Sequence, residues 1–275
     1  MRVRIDHATT YSYDRAARFI VQVLRLTPRS SGDQHVQRWD VETDVDARLR
    51  RSEDAFGNVV HTLYTEAPTR SLTVRVTGEV STSETTGVLN GVHEPLPPTV
   101  FLRETALTKP DKLISVFASE FLAHPPLERL HRLMAAIHGS VAFEVGATTP
   151  YHTAAEVLAL GRGVCQDHAH LFVACARRMG VPARYISGHL VRTDRTDQEA
   201  AHAWAEAWVE DLGWVGFDPA NGVCPTEAYV RVAVGLDYLG AAPIRGASYG
   251  GGRETLGVRL DVRDLRNVQQ GQQQA

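Results

Sequence analysis

The sequence predicts an α+β protein, in which a β-sandwich precedes a unit of helices packed on an antiparallel sheet. Residues 1 to about 85 are rich in Val, Thr and Tyr and often alternate between apolar and polar side chains, as half-buried strands do. Residues 111–179 instead show helical apolar spacing, and alternation returns from residue 183. We predict three parts: a β-sandwich domain at residues 1–90, a mixed domain at 91–265, and a disordered, low-complexity tail at 266–275.

Five segments of the first 85 residues have the composition of strands. Turn-forming residues separate them, namely Pro28 to Gly32, Gly57-Asn58 and Pro68. Residues 86–110 hold repeated Gly and Pro and are predicted to link the two domains. The predicted strands are RVRIDHATTYSY, FIVQVLRLTP, VQRWDVETDV, VVHTLYTEA and SLTVRVTGEV.

Four helices are predicted after the linker. The dipeptide Pro125-Pro126 interrupts the apolar spacing and suits the start of the second helix. Thr153 is a predicted N-cap, and Glu156 three residues later completes a capping box. Gly180 ends the fourth helix. The predicted helices lie at 111–122, 127–141, 153–160 and 165–179.

Strands are predicted to resume beyond the fourth helix, which completes the antiparallel sheet of the second domain. The polar segment 193–199 between two of them is predicted to be a mobile loop and is a candidate lid. The predicted strands lie at 183–192, 201–210, 214–218 and 254–264.

Composition argues against several classes of protein. The 275 residues are 43% hydrophobic and 22% charged with a formal net charge of -3, so nothing global attracts nucleic acid or a membrane surface. No apolar run approaches the roughly 20 residues of a membrane helix, and the strand-like N-terminus lacks the apolar centre of a signal peptide. Three cysteines are too few, and odd in number, for a disulfide framework. We therefore predict a cytoplasmic protein in a reducing setting, without nucleic-acid or membrane partners.

The stretch GVCQDHAH places Cys165 after a Gly-Val turn and at the start of a predicted helix. An ordinary thiol has a pKa of about 8.5, and only its thiolate form is a good nucleophile. A helix N-terminus carries partial positive charge and unpaired N–H groups, which favour the thiolate and can hold an oxyanion. Cys165 is therefore the predicted nucleophile. Cys175, on an apolar helix stripe, and Cys224, after an Asn-Gly turn, are predicted to be structural.

Two later stretches offer partners for a thiol nucleophile. HAWAEAWV begins with His202, the predicted general base, and GWVGFDPANG contains Asp218, which a hairpin would bring beside His202 to orient it. Strand alternation places Trp204, Glu206 and Trp208 on the face of His202. The two tryptophans would shield the site from water, and Glu206 is either an alternative orienter or a buried structural carboxylate.

A metal centre is the rival interpretation of the same stretch, with Cys165, His168 and His170 as ligands. On a helix, Cys165 and His168 face similar directions but His170 points elsewhere. A second ligand pair is missing from the sequence. We therefore predict no metal and no cofactor.

These stretches resemble the transglutaminase-like superfamily, in particular the bacterial transglutaminase-like proteins that are labelled as cysteine proteases. The resemblance is carried by AAEVLALGRGVCQDHAHLFVACARRMGVPARYISGHL and HAWAEAWVEDLGWVGFDPANG, within the region from about Phe143 to Gly222. The N-terminal strands and SYGGGRETLGVRLDV also resemble the full-length pattern. The resemblance implies a papain-like core behind the sandwich, so the domain at 91–265 is the catalytic one. It further implies Cys165 as nucleophile, His202 as general base and acid, and Asp218 as orienter.

The resemblance also implies acyl transfer through a thioester, on a peptide or small amide substrate. Hydrolysis is favoured over cross-linking, because water is the default acceptor in an exposed site. The alternative is a binding or scaffold protein that kept the fold without turnover, although the intact Cys-His-Asp set favours the enzyme. Asp167 alternatively caps the helix, and Asn221 builds a turn. The residues predicted to bind substrate or hold the oxyanion are Gln166, Asp167, His170, Trp204, Asn221 and Tyr238.

The chain departs from the animal enzymes that cross-link proteins. Those use a tryptophan upstream of the cysteine to hold the oxyanion, but no tryptophan lies between Trp39 and Trp204 here. Gln166 or backbone N–H groups are the candidates for that role. No calcium loop of spaced carboxylates is visible in the sequence, so calcium activation is not predicted. Substrate identity and oligomeric state stay open.

Overall fold

The computed structural model describes residues 1–198 and 200–266. It confirms the predicted α+β class, because a β-sandwich lies beside helices packed on an antiparallel sheet. Glu199 of the predicted loop and residues 267–275 of the predicted tail lie outside the described residues. Within the described ranges, no helix combines the length and the apolar character needed to cross a membrane.

Six strands form the first part of the chain, and the five predicted ones are among them. The sixth, with the sequence ARLRRSE, was missed because it is an edge strand whose charged side chains are mostly exposed. The strands are β1 (Arg2–Ala17), β2 (Phe19–Thr27), β3 (Gln34–Thr43), β4 (Ala47–Glu53), β5 (Val59–Thr65) and β6 (Thr69–Thr82).

All four predicted helices are present, each within three residues of its predicted ends. Two short elements were not predicted, a 3₁₀ helix at Pro98–Leu102 and a last helical turn. The helices are α1 (Lys112–Ser119), α2 (Pro126–Ser140), α3 (Ala154–Leu160), α4 (Cys165–Arg178) and α5 (Tyr238–Ala241).

The four strands predicted in the second part of the chain are also present, together with five others. The longest of the five, Tyr229–Gly235, was missed although its alternating valines are a strand signal. The strands are β7 (Ala142–Phe143), β8 (Arg162–Gly163), β9 (Ala183–Leu190), β10 (Asp197–Gln198), β11 (His202–Val209), β12 (Gly213–Phe217), β13 (Tyr229–Gly235), β14 (Ile244–Tyr249) and β15 (Glu254–Asp264).

The sandwich consists of two antiparallel sheets, ordered β10-β15-β1-β6-β3 and β14-β2-β5-β4. Alternate residues of their facing strands form one apolar core, which includes Leu24, Leu63, Leu72 and Val76, each fully buried. The sandwich is therefore closed by strands from both ends of the chain.

The structure corrects the predicted domain at 91–265, because residues 244–264 belong to the sandwich sheets. Strand β14 pairs with β2, and β15 pairs with β1 over eleven residues. Alternation predicts that a segment is a strand but not which partner it finds, and these partners are more than 200 residues away in the sequence. The segment 193–199, predicted as a loop, is likewise anchored in part, because β10 pairs with β15.

The second unit is built on a four-stranded antiparallel sheet with the order β12-β11-β9-β13. Helix α4 packs on β11, where Ala205 and Ala207 face the helix and are fully buried. These small side chains let the helix approach the sheet closely. Phe172 of α4 stacks on Phe217 with ring centroids 5.0 Å apart. The close packing fixes where the first turn of α4 lies relative to the ends of the strands.

The connection from α3 to α4 sets the position of Cys165. Thr153 and Glu156 form the predicted capping box at the start of α3. Gly161 ends α3 in the left-handed conformation, at φ 67°. Gly163 is required for a different reason, since a Cβ there would lie 2.6 Å from a carboxylate oxygen of Asp167. The two glycines therefore allow α4 to begin immediately after a tight turn.

Candidate active site

Cys165 is the first residue of α4 and is partly exposed to solvent. The first backbone N–H groups of a helix have no intrahelical partner, so those of Cys165 and Gln166 point out of the helix end beside the thiol. Asp167 fixes this helix start, because its carboxylate accepts a hydrogen bond of 2.8 Å from the N–H of Val164. The sequence thus presents a thiol at a helix N-terminus, where partial positive charge collects.

His202 and Asp218 are brought together by the hairpin of β11 and β12. The Nε2 atom of His202 lies 2.6 Å from Oδ2 of Asp218. Because Nε2 faces the carboxylate, Nδ1 is the ring nitrogen left for the thiol, and Cys165 and His202 line the same cleft. The structure therefore brings the three predicted catalytic side chains together at one site.

The Asp218 carboxylate is fully buried, and both of its oxygens accept hydrogen bonds. Oδ1 accepts from the backbone N–H groups of Ala220 and Asn221, at 3.0 and 3.2 Å. Oδ2 accepts from the side-chain amide of Asn221 and from the hydroxyl of Tyr229, both at 2.7 Å. Tyr229 was missed by the sequence analysis because strand β13 was missed. These contacts keep the carboxylate ionised and aimed at His202.

Electrostatics at the site favour an imidazolium. Burial alone would lower the pKa of His202, but the neighbouring Cys165 thiolate and the hydrogen bond to Asp218 together raise it to about 10. Burial opposes ionisation of Asp218 as well, yet the hydrogen bonds from His202, Tyr229 and Asn221 hold its pKa below the usual value. The raised pKa of His202 and the lowered pKa of Asp218 together favour an imidazolium bonded to an ionised carboxylate.

Two predicted substrate residues serve the scaffold instead. Asp167 is fully buried and, besides capping α4, accepts a 2.6 Å hydrogen bond from the hydroxyl of Thr148. His170 is also fully buried, and its Nε2 accepts a 2.9 Å hydrogen bond from the backbone N–H of Tyr238. Burial lowers the pKa of His170 to about 4, so the ring is neutral and can accept this bond. His170 thereby holds Tyr238 at the cleft.

The other predicted substrate residues differ in their placement. Gln166, Asn221 and Tyr238 line the cleft that contains Cys165. The Gln166 amide donates to the carbonyl of Pro150 at 3.3 Å, which ties it to the neighbouring loop. Trp204 does not line the cleft: it is buried behind His202 and stacks on that ring, with centroids 6.2 Å apart. Trp204 can therefore shield the His202 ring but cannot contact a substrate.

The remaining members of the predicted His202 face have other partners. The carboxylate of Glu206 is held by Arg184 at 2.6 Å and by Arg231 at 2.8 Å, so it is the buried structural carboxylate rather than an orienter. Trp208 lies six residues along the strand from His202, a distance of about 20 Å, and packs edge-on against Trp214. The prediction that Trp208 shields the site is wrong for this reason.

The ring of His168, a ligand in the metal interpretation, is engaged elsewhere. Its Nδ1 and Nε2 atoms lie 2.9 and 3.0 Å from the carbonyl oxygens of Val164 and Val141. With His170 bonded to Tyr238, Cys165 has neither histidine beside it as a co-ligand. Among residues 1–198 and 200–266, no group of three or more His, Cys, Asp or Glu side chains has the arrangement of a metal site.

The cleft around Cys165 has a volume of about 500 Å³, within the range typical of small-molecule and peptide sites. One side consists of the second unit and includes Tyr185, Ser187 and Tyr238. The other side consists of the sandwich and includes residues of β1 and β15. The sequence analysis assigned no role to the sandwich, since nothing local in its strands indicates that they reach the thiol.

Comparison with known proteins shows which family the chain belongs to. A model of the transglutaminase-like superfamily matches residues 117–219, and a model of the bacterial transglutaminase-like N-terminal region matches residues 3–81. An uncharacterised protein of Mycobacterium leprae is 32% identical over 284 residues, which cover 96% of this chain and 99% of that protein. The chain belongs to the transglutaminase-like superfamily. The predicted family is thereby confirmed.

Two further relatives extend the comparison. A solved structure described as a putative cysteine protease from Cytophaga hutchinsonii aligns with a TM-score of 0.79 at 20% identity, covering 96% of this chain and 91% of that one. This similarity shows the same fold, a transglutaminase-like, papain-like core with an N-terminal sandwich. A protein-glutamine gamma-glutamyltransferase of Pseudomonas aeruginosa is 30% identical over 109 residues, which cover 32% of this chain and 15% of that protein.

Proposed function

We propose that this superfamily member is a thiol-dependent amide hydrolase or acyl transferase acting on a peptide or small amide. The observation that carries the proposal is the placement of His202, with Nε2 on the Asp218 carboxylate and the ring in the same cleft as the thiol of Cys165. A nucleophile, a base and an orienter in that order are the parts that covalent acyl transfer needs. A cytoplasmic setting, which keeps the thiol reduced, belongs to the same proposal.

In the acylation step, the Cys165 sulfur attacks the carbonyl carbon of the amide and its π electrons move to the oxygen. In this proposal the N–H groups at the start of α4 receive the oxyanion. When the carbonyl re-forms, the carbon–nitrogen bond breaks, and the departing amine takes the proton that His202 carries. The acyl group stays on Cys165 as a thioester, and His202 is left neutral.

In the second step, neutral His202 takes a proton from the acceptor that attacks the thioester. If the acceptor is water, the products are a carboxylic acid and the free Cys165 thiolate beside the imidazolium. We favour water, because Cys165 is partly exposed and water can reach it. An amine acceptor would give the cross-linking chemistry that the name of the Pseudomonas relative describes.

We expect p-nitrophenyl acetate to give a burst of about one equivalent of nitrophenolate per chain, because acylation of a thiolate precedes a slower deacylation. The Cys165→Ala variant loses the burst. The matched Cys224→Ala variant keeps it, since burial raises the pKa of that half-buried thiol. The burst is followed at 400 nm, and the acylated residue is located by mass spectrometry.

The proposal would be contradicted if the wild type showed no burst, or if the burst persisted in Cys165→Ala. In that case the binding or scaffold alternative becomes the better interpretation. Adding a primary amine to the wild type separates the two acceptor classes: release of an amide product indicates transfer, and release of acetate alone indicates hydrolysis.

Tyr229→Phe should slow acylation about 10-fold, because it removes one hydrogen bond to the ionised Asp218 that orients His202. Tyr229 is not among the cleft residues, so apparent binding of the ester should not change. The exposed Tyr249→Phe serves as the control. A weakened apparent binding with an unchanged acylation rate would show that Tyr229 does not act through Asp218.

A further inference from the structure

The wall that the sandwich contributes to the cleft carries apolar side chains without a packing partner. On β15, Leu260 and Val262 are fully buried in a cluster that includes Val230 of β13, but Leu256 and Val258 on the same face are 60% and 36% exposed. Both exposed side chains line the cleft that contains Cys165. The apolar face of this strand therefore continues beyond the packed cluster and into the cleft that contains Cys165.

The pairing of β15 with β1 shows that this wall is two strands wide. Leu256 lies opposite Tyr11, and Val258 lies opposite Thr9. Both partners on β1 also line the cleft. Ile244 of β14 extends the same wall. Because sheet register sets these positions, the backbone presents the side chains of the wall on one face in a fixed order.

The charged side chains that line the cleft also bear on which substrate it accepts. Among the described residues that line it, Arg192 and Arg195 are the charged side chains of fixed sign, and no Asp or Glu is present. Asp194, which pairs with Arg192 at 2.9 Å and lies 3.6 Å from Arg195, is not part of the wall. A cationic group in the cleft would therefore meet the positive charge of these two arginines, with no carboxylate among the described lining residues to offset it.

We infer that the N-terminal sandwich selects the acyl donor, and that the preferred donor presents a large apolar residue, without positive charge, next to the scissile amide. This inference rests on the proposed function of Cys165 and adds the substrate class to it. Leu256, Val258 and Tyr11 are the specificity-determining residues. A glutamine side chain, polar and hydrogen-bonding, matches this wall less well than a phenylalanine or leucine side chain.

The test measures the rate at which Cys165 is modified by three acetyl-Ala-X acyloxymethyl ketones, with Phe, Gln or Lys at X. All three carry the same reactive group, so rate differences report recognition of X. The Phe probe should react about 10-fold faster than the Gln probe and faster still than the Lys probe. In Leu256→Ser/Val258→Ser this preference should fall about 10-fold, whereas Leu122→Ala, exposed outside the cleft, should keep it.

Iodoacetamide, which carries no side chain, reports the reactivity and folding of the site in each variant. If the three probes react at equal rates, or the Gln probe reacts fastest, the inference is overturned. If iodoacetamide still labels Cys165 fast in that case, the proposed function stands. A Phe preference that survives the double substitution would overturn the assignment to the sandwich. Iodoacetamide labelling of Cys165 no faster than that of Cys224 would overturn both the proposed function and the inference.

Discussion

Replacing His202 with alanine should slow alkylation of Cys165 by iodoacetamide about 10- to 100-fold near pH 6 and much less near pH 9. In the wild type, the imidazolium of His202 stabilises the thiolate, so labelling should stay fast as the pH falls from 9 to about 6. The variant lacks this cation. In an ordinary thiol with a pKa of about 8.5, the thiolate fraction falls roughly tenfold for each unit of pH below that value.

The sign of this pH dependence follows from the raised pKa of His202. A pKa of about 10 means that the imidazolium persists through neutral pH and is lost only as the pH rises towards about 10. The advantage of the wild type is therefore largest at acidic pH and disappears at alkaline pH. Turnover should fall more steeply, by about 100- to 10,000-fold, because His202 must also transfer protons.

The measurement is mass spectrometry of Cys165 after short exposures to substoichiometric iodoacetamide across the pH range. Cys224 in the same molecule serves as an internal reference thiol, and His124→Ala, whose side chain is one-third exposed, serves as the control substitution. Labelling of Cys165 that is slow at pH 6 in the wild type, or identical in His202→Ala, would rule out a thiolate–imidazolium pair.

The grouping of Cys165, His202 and Asp218 could be predicted because the signals that position each of them are local in sequence. A cysteine after glycines and before an apolar helical run specifies a thiol at a helix start, and a three-residue turn at Asp211 specifies the hairpin that aligns the other two. Asp211 and Gly213 adopt positive φ values of 69° and 84°, as such a tight turn requires. Local signals of this kind do not depend on the rest of the fold.

The features that could not be predicted depend on distant contacts. The alternating apolar side chains of β15 can be recognised in the sequence. Tertiary packing decides that β15 pairs with β1 and therefore that this face lies in the cleft of Cys165. The same holds for Tyr229, whose hydroxyl reaches Asp218 from another strand. Alternation also placed Trp204 and Glu206 on the face of His202 without showing that they turn away from the cleft.

The largest effect on stability is expected for Glu206→Ala. The Glu206 side chain is 1% exposed and binds both Arg184 and Arg231 through its two oxygens. Removing it leaves two guanidinium groups partly uncompensated in the interior, and breaking such a buried pair typically costs about 3–5 kcal/mol of unfolding free energy. Denaturant unfolding measures the loss, and Glu210→Ala, exposed in the turn just after β11, should change the free energy by no more than about 0.5 kcal/mol.

The same variant separates the two roles that alternation left open for Glu206. Arg184 is also held by Glu94 at 2.6 and 2.8 Å and lies 3.7 Å above the Trp214 ring, so Arg184 stays anchored after Glu206 is lost. Folded Glu206→Ala should therefore label at Cys165 as fast as the wild type near pH 6, because Asp218 alone orients His202. Slow labelling in the folded variant would show that the charge of Glu206 acts on His202 through the sheet, and that stability and thiol activation are coupled along β11.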